Sequence, residues 1–201
     1  MHPNPSFRKA DDARNLEFAR ARGFGILSAA MGAEVVSAHV PFLMSEDGRR
    51  VEAHLARSNP LLKQDGPAVL MVSGADGYVS PDWYGAPEQV PTWNYVAVHL
   101  RGHLRPAPRE GLRAHLAALS ARFEEALPKA PWTMDKMSEE AILRMERMIV
   151  PVVMDVEQVE GTWKLGQNKT DAQRLGAAAQ VTGGHGMELA ELAGLMHAPP
   201  A

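Results

Sequence analysis

From Trp93 to Arg105 apolar and polar positions alternate. Val96, Val98, Leu100, Gly102 and Leu104 fall on one face, and Tyr95, Ala97, His99, Arg101, His103 and Arg105 on the other. A period of two belongs to a strand with one face in a core and the other polar. Shorter apolar runs with turn residues between them read the same way. Phe24 to Ala29 is a strand, Ala30 to Ala33 a tight connection, and Glu34 to Met44 the next strand. Asp47-Gly48 supplies the positive-φ pair of a hairpin, and Arg50 to Ala56 returns. After Ser58-Asn59-Pro60, Leu61 to Gln64 forms a helical turn before the strand Ala68 to Ser73. Tyr78 to Tyr84 then leads into a loop with Gly85, Pro87 and Pro91, and Ile149 to Val159 is the last strand, which Glu160 to Lys164 carries toward a turn.

Helical spacing appears between these runs. Ala13 to Arg22 follows Asp11-Asp12 and stops at Gly23, with Leu16 and Ala19 on one face. In Arg109 to Leu127, Leu112, Leu116, Leu119, Phe123 and Leu127 keep the 3,4 spacing of a helix packed on one side. Ser138 caps a helix to Arg147, with Met137 and Ile142 placed as a hydrophobic staple, and Thr170 to Gln173 has the form of a capping box. Hairpin-connected strands with helices set inside the series predict an α+β fold, an antiparallel β-barrel with peripheral helices. A doubly wound sheet is disfavoured, because the first three strands leave no room for crossover helices. The expected organisation is one domain over 1–180 and an extension over 181–201 that holds a loop and a short helix around Met187 to Met196.

Composition narrows the chemistry. The 201 residues are 45% hydrophobic and 22% charged and contain no cysteine, so disulfides, thiolate metal sites and cysteine nucleophiles are out. No run of eighteen apolar residues occurs, and the N-terminus has no apolar stretch of signal-peptide length, so a soluble, cytoplasmic protein without membrane contact is expected. Net charge is −3, with acids and bases interspersed. A protein that lives by neutralising phosphates along a duplex shows a basic face or tail, so direct DNA binding is doubtful.

Three short segments concentrate side chains able to make directional bonds. Arg57, Ser58 and Asn59 stand at the end of a strand, where they can grip a phosphate or simply form a turn. Trp93 and Asn94, with Tyr95, stand at the mouth of a strand, where aromatic faces stack on a planar ligand or cap the barrel. Trp163, Lys164, Gln167, Asn168 and Lys169 pack an aromatic, two cations and two amides around Gly166. Trp163 and Lys164 are neighbours, so on a regular strand they face opposite sides and serve two environments unless Gly161 or Gly166 bends the chain. No metal site is expected: His99 and His103 share a strand face but lie about 13 Å apart. HExxH, P-loop, GxSxG and GxGxxG motifs are all missing.

The segments His54-Leu55-Ala56-Arg57-Ser58-Asn59-Pro60, Tyr78 to Tyr84, Val90-Pro91-Thr92-Trp93-Asn94-Tyr95 and Lys164-Leu165-Gly166-Gln167-Asn168-Lys169 stand in the order they have in the PaiB family. That family is described as FMN-binding negative transcriptional regulators, and the chain resembles it over about residues 1 to 180. The resemblance implies an FMN-binding split barrel, a homodimer with flavin sites where its subunits meet. It places Arg57, Ser58 and Asn59 on the phosphate side. Trp93, Asn94, Trp163, Lys164, Gln167 and Asn168 fall on the ring or ribityl side. Two departures stand out: Gly166 where the family often has serine, and a short loop from Gly85 to Val90. Three functions follow as expectations: an FMN-binding regulator, a flavin-dependent oxidoreductase acting on a small-molecule substrate, and a structural dimer whose flavin site has decayed.

Overall fold

A computed structural model describes residues 1–200. Its strands are β1 (Phe24–Met31), β2 (Glu34–Met44), β3 (Arg50–Ala56), β4 (Gly66–Val79), β5 (Thr92–Pro106), β6 (Ile149–Lys164) and β7 (Gly186–Met187). The helices are α1 (Asp12–Arg22), α2 (Leu112–Glu124), α3 (Glu139–Glu146), α4 (Asp171–Val181) and α5 (Leu189–His197). The sheet runs β1-β2-β3-β6-β5-β4-β7, and a further β1–β4 pairing closes it on itself. This is the α+β antiparallel barrel with flanking helices that the pattern predicts.

Several elements outrun their expected limits. β4 extends to Val79 rather than Ser73, while β6 runs to Lys164, through the segment Glu160 to Lys164 expected to carry it toward a turn. Gly74, Asp76 and Gly77 are absorbed into β4, because ladder bonds and packing outweigh weak local propensity. Around α2 the reverse happens: Arg109–Gly111 is a 3-10 turn, and the helix proper ends at Glu124. The expected caps are present at α3 and α4. Ser138 Oγ accepts from Ala141 N at 3.3 Å, and Thr170 and Gln173 bond reciprocally as a capping box.

The chain divides into two compact units. One comprises Arg20–Met71 and Leu100–Gln158. In it β1 pairs antiparallel with β2 (Leu27 opposite Ala38) and with β4 (Leu27 opposite Leu70), and β3 pairs with β6 (Ala53 opposite Val152). Alternate residues from these strands point inward, so Leu27, Phe42, Leu55, Leu70, Leu104 and Met154 are buried as the barrel core. Gly102 has no substitute here, because a Cβ would stand 1.9 Å from Asp155 O on β6.

The other unit comprises Met1–Ala19, Val72–His99 and Val159–Ala201. Its core gathers Ala75, Val79, Val96 and Trp163 from strand segments and Leu165 just past β6 with Ala177 and Val181 of α4 and Leu192 and Met196 of α5. Leu192 and Met196 are fully buried, so the chain after residue 181 supplies part of this core. No helix among the described residues is long and apolar enough to cross a membrane.

Candidate functional site

In the barrel unit, β3 ends at Ala56 and the chain turns through Arg57, Ser58 and Asn59 into a 3-10 turn over Pro60–Lys63. The turn is held from within. Asn59 N donates to Ala56 O at 2.8 Å, and Asn59 Oδ1 accepts from Leu61 N at 3.0 Å as its N-cap. Arg57 is exposed and anchored twice, its backbone N to Met148 O at 2.8 Å and its Nε to Arg147 O at 2.5 Å. Those bonds leave the two terminal guanidinium nitrogens, the exposed Ser58 hydroxyl and Asn59 Nδ2 as donors. A cluster of donors around a fixed guanidinium is suited to an oxyanion such as phosphate.

Beneath that turn, His54 of β3 meets α2. His54 Nδ1 and His115 Nε2 are 3.3 Å apart, within hydrogen-bonding distance, and Glu52 Oε2 lies 4.0 Å from His115 Nδ1. Burial lowers the pKa of both imidazoles; for His115 the His54 ring lowers it further and Glu52 partly opposes this. Nothing in the sequence pattern signals the pair, whose members are 61 residues apart.

In the other unit, β5 opens at Thr92. Its alternation puts Asn94 on the buried face with Val96 and Val98, while Trp93 is 44% exposed on the opposite one. The Trp93 ring stands edge-on to His185, with centroids 6.2 Å apart. Asn94 is buried and its Nδ2 has no hydrogen-bond partner, which is costly for an amide unless something else accepts from it.

The end of β6 stays a regular strand, so Trp163 and Lys164 point to two environments. Trp163 is buried against α1: its Nε1 donates to Asn15 Oδ1 at 2.9 Å, Phe18 packs edge-on at 5.4 Å, and the Arg14 guanidinium lies 4.8 Å from the ring centroid. Lys164 turns the other way, where Nζ donates to Thr92 Oγ1 and, at 2.7 Å, to Trp93 O. Burial, and after it the charge of Lys169, hold the Lys164 ammonium below the ordinary lysine range. Gln167 shapes the turn that follows, accepting from Leu165 N at 2.8 Å and donating to Trp163 O at 2.6 Å. Asn168 is exposed, and Gly166 takes the left-handed φ of 86° that the turn requires.

The structure therefore groups Arg57, Ser58 and Asn59 in one turn. It groups Trp93 with Lys164 through a direct bond, and Trp163 with Gln167. Asn15, which orients Trp163, escaped the sequence reading. Lys169 is the second cation of its segment in that reading, but its partners are not legible there: its Nζ reaches Gln89 Oε1 at 2.5 Å and lies 4.9 Å from the Tyr84 ring centroid. The word Lys-Leu-Gly-Gln-Asn-Lys contains Lys169, but its neighbours in space are 80 residues away.

The barrel unit offers guanidinium, hydroxyl and amide donors of the kind an oxyanion accepts. The other unit, taken by itself, offers an exposed indole, an orphaned buried amide and a half-buried ammonium. Residues 1–158 match the model of the family described as "Putative FMN-binding domain". The chain is 25% identical over 198 residues to "Protease synthase and sporulation protein PAI 2" of Bacillus subtilis, covering 96% of this chain and 95% of that one. Among solved structures it is similar to an FAD and heme binding protein from Mycobacterium smegmatis, with a TM-score of 0.60 and 14% identity over 80% of this chain and 74% of the other. It is also similar to the flavocytochrome Anf3 from Azotobacter vinelandii, with a TM-score of 0.58 and 15% identity over 83% and 73%. At these identities the two structures share its fold.

Proposed function

This chain belongs to the PaiB-like family of FMN-binding split-barrel proteins, and from that premise we propose that it binds flavin mononucleotide and serves redox chemistry on a small molecule. The observation that carries the reading is the turn at the end of β3. Arg57 is locked by two bonds to the chain before α3 meets β6, and Ser58 and Asn59 add donors beside it. Charge-assisted bonds from a preorganised guanidinium recognise a phosphate monoester without further rearrangement. Arg57, Ser58 and Asn59 are the residues proposed to hold it.

Bound FMN supplies a ring able to take up and return a hydride or single electrons. The chain's own part in the second unit is positional and electrostatic. Trp93 offers an exposed indole face for stacking, and Asn94 keeps a donor in reserve. Lys164 holds a positive charge in a partly desolvated place, where it favours electron-rich ligands. Trp163 and Gln167 shape that end of β6 from behind, with Asn168 exposed beside them.

Direct DNA reading is the weaker function. α2 and α3 are separated by residues 125–138, and α3 opens with Glu139 and Glu140. Arg113 is spent on Glu139 and Glu146, and Arg109 on the Glu146 carbonyl. A helix that begins in carboxylates repels the backbone it would enter. The proposal includes a homodimer, supported by Phe24 and Val35, which leave 52% and 76% of their surface open on the barrel unit. Light scattering should then give about twice the 21.9 kDa chain mass.

The test is a titration of the flavin-free protein with FMN and with riboflavin, followed by flavin fluorescence. Wild-type protein should quench FMN at one per chain. Arg57→Ala should weaken FMN by about tenfold or more and leave riboflavin nearly unchanged, because only FMN carries the phosphate. No quenching by wild type, or an equal loss for both flavins, would overturn the reading. Oxidation of NADH or NADPH by the loaded protein separates the oxidoreductase from a passive flavin carrier.

A further inference from the structure

Between α2 and α3 the barrel unit leaves a cavity of about 390 Å³. Leu116 and Ser120 of α2 form one wall, and Ile142 and Met145 of α3 form another. Trp132, Met134 and Met137 line it from the connecting segment, and Met148 stands just before β6. Four of the chain's eleven methionines therefore border one space. Ile142 is buried, while Met145 and Met148 are 57% and 66% exposed, so the space opens to solvent on their side.

The connecting segment is held by polar bonds rather than by packing into the cavity. Trp132 N donates to Glu124 Oε2 at 2.8 Å, Lys136 Nζ to Pro131 O at 3.1 Å, and Met137 N to Met134 O at 3.0 Å. These bonds fix the segment and leave the space behind it open, where close packing ordinarily leaves no void of this size. The one ionisable group in the lining is Glu146, and Arg113 donates to both its oxygens, at 2.8 and 3.3 Å. That pairing leaves no free charge for a charged ligand to meet. Among the described residues no bond occupies the Ser120 hydroxyl or the Trp132 indole N–H, so two polar groups of the lining remain uncommitted.

We propose that this cavity binds an uncharged aromatic small molecule bearing one or two hydrogen-bonding atoms. Thioethers are flexible and polarisable, and sulfur set against a ring edge adds to the gain from burying apolar surface. Trp132 offers a ring for offset or edge packing, and its N–H and the Ser120 hydroxyl set the ligand's orientation. A carboxylate or ammonium would lose its water there without gaining a counter-ion. None of the residues proposed to hold flavin lines the cavity. The bonds of Arg57 to this wall end on main-chain carbonyls, those of Arg147 and Met148. The site is therefore a second one, and it stands whether or not flavin binds.

The probe is N-phenylnaphthylamine, a neutral two-ring-system amine that fluoresces when shielded from water, titrated into the full chain with and without FMN. Wild type should bind it saturably at one per chain. Anilinonaphthalenesulfonate, which adds a sulfonate to the same skeleton, should bind about tenfold more weakly. Ser120→Phe places a ring in the cavity, and Met145→Glu brings a carboxylate to its exposed side. Each should weaken the neutral probe about tenfold, and Met145→Glu, at a mostly exposed position, should keep the urea midpoint of wild type. No saturable binding by wild type, equal binding by wild type and Met145→Glu, or tighter binding of the sulfonate overturns the proposal. Displacement of the probe by FMN would give the cavity to the flavin, and probe binding that falls as protein concentration rises would give it to a second copy of the chain. Either result also overturns the proposal. Probe binding that depends on Met145 in a protein that takes up no FMN would remove the flavin reading and leave this one standing.

Discussion

The indole nitrogen of Trp163 donates to Asn15 Oδ1 across 148 residues of sequence, inside a core where Asn15 is only 2% exposed. The bond locks the end of β6 to α1 and fixes which way Lys164 must point. Removing the acceptor leaves a buried N–H unpaired. Asn15→Leu should therefore destabilise the protein by about 1–3 kcal/mol in urea unfolding. Gly161 lies beside the same bond, and a Cβ there would stand 2.0 Å from Asn15 Oδ1. Gly161→Ala should lower the melting temperature at least as much.

The His54–His115 pair makes stability depend on pH. Both folded-state pKa values lie below the ordinary 6.5, so the folded form favours neutral rings and the unfolded form takes up protons first. Stability is full above about pH 6.5 and is lost as pH falls from there through the lowered folded values. Denaturant unfolding from pH 8 to 5 should show this fall. His115→Phe should flatten it, since one member of the pair and its coupling to Glu52 are gone.

Met196 and Leu192 of α5 are fully buried beside Val181 and Trp163. Met196→Ala should cost about 2–5 kcal/mol, the range for a large core side chain cut to alanine. A chain ending at residue 186 should unfold at lower denaturant than the full chain. Unchanged midpoints in both would mean that α5 contributes nothing to folding.

Gly102→Ala should be among the most disruptive single methyl additions in the barrel unit, because the new carbon meets the Asp155 carbonyl rather than a movable side chain. Loss of soluble expression, or a sharply lowered melting temperature, is the expected outcome. A variant as stable as wild type would show that β5 and β6 can spread apart there.

Periodicity alone located most strands and helices, and the caps at Ser138 and Thr170 were legible to the residue. These signals are local: a period of two or of 3.6 states which residues share a face, and a cap needs only its neighbours within a turn. The length of β4 was not legible, because pairing across the sheet carries a strand through glycines that local rules treat as stops. The order of four short segments pointed to the family, and their donor-rich composition marked the turn at Arg57.

Which side chains meet was decided only by the fold. Trp163 and Lys164 are adjacent in sequence, yet one is bonded to α1 and the other to the start of β5. Lys169 gained its place from Gln89 and Tyr84, and His54 from a helix 61 residues on. The alternation of a strand says that neighbours face apart, but the identity of what waits on each side depends on packing between distant segments. The sequence by itself determined the α+β barrel, the family and the residue types available for an anionic ligand. The tertiary structure decided what each lysine bonds, because a hydrogen-bond partner is set by closeness in folded space and not by spacing along a chain.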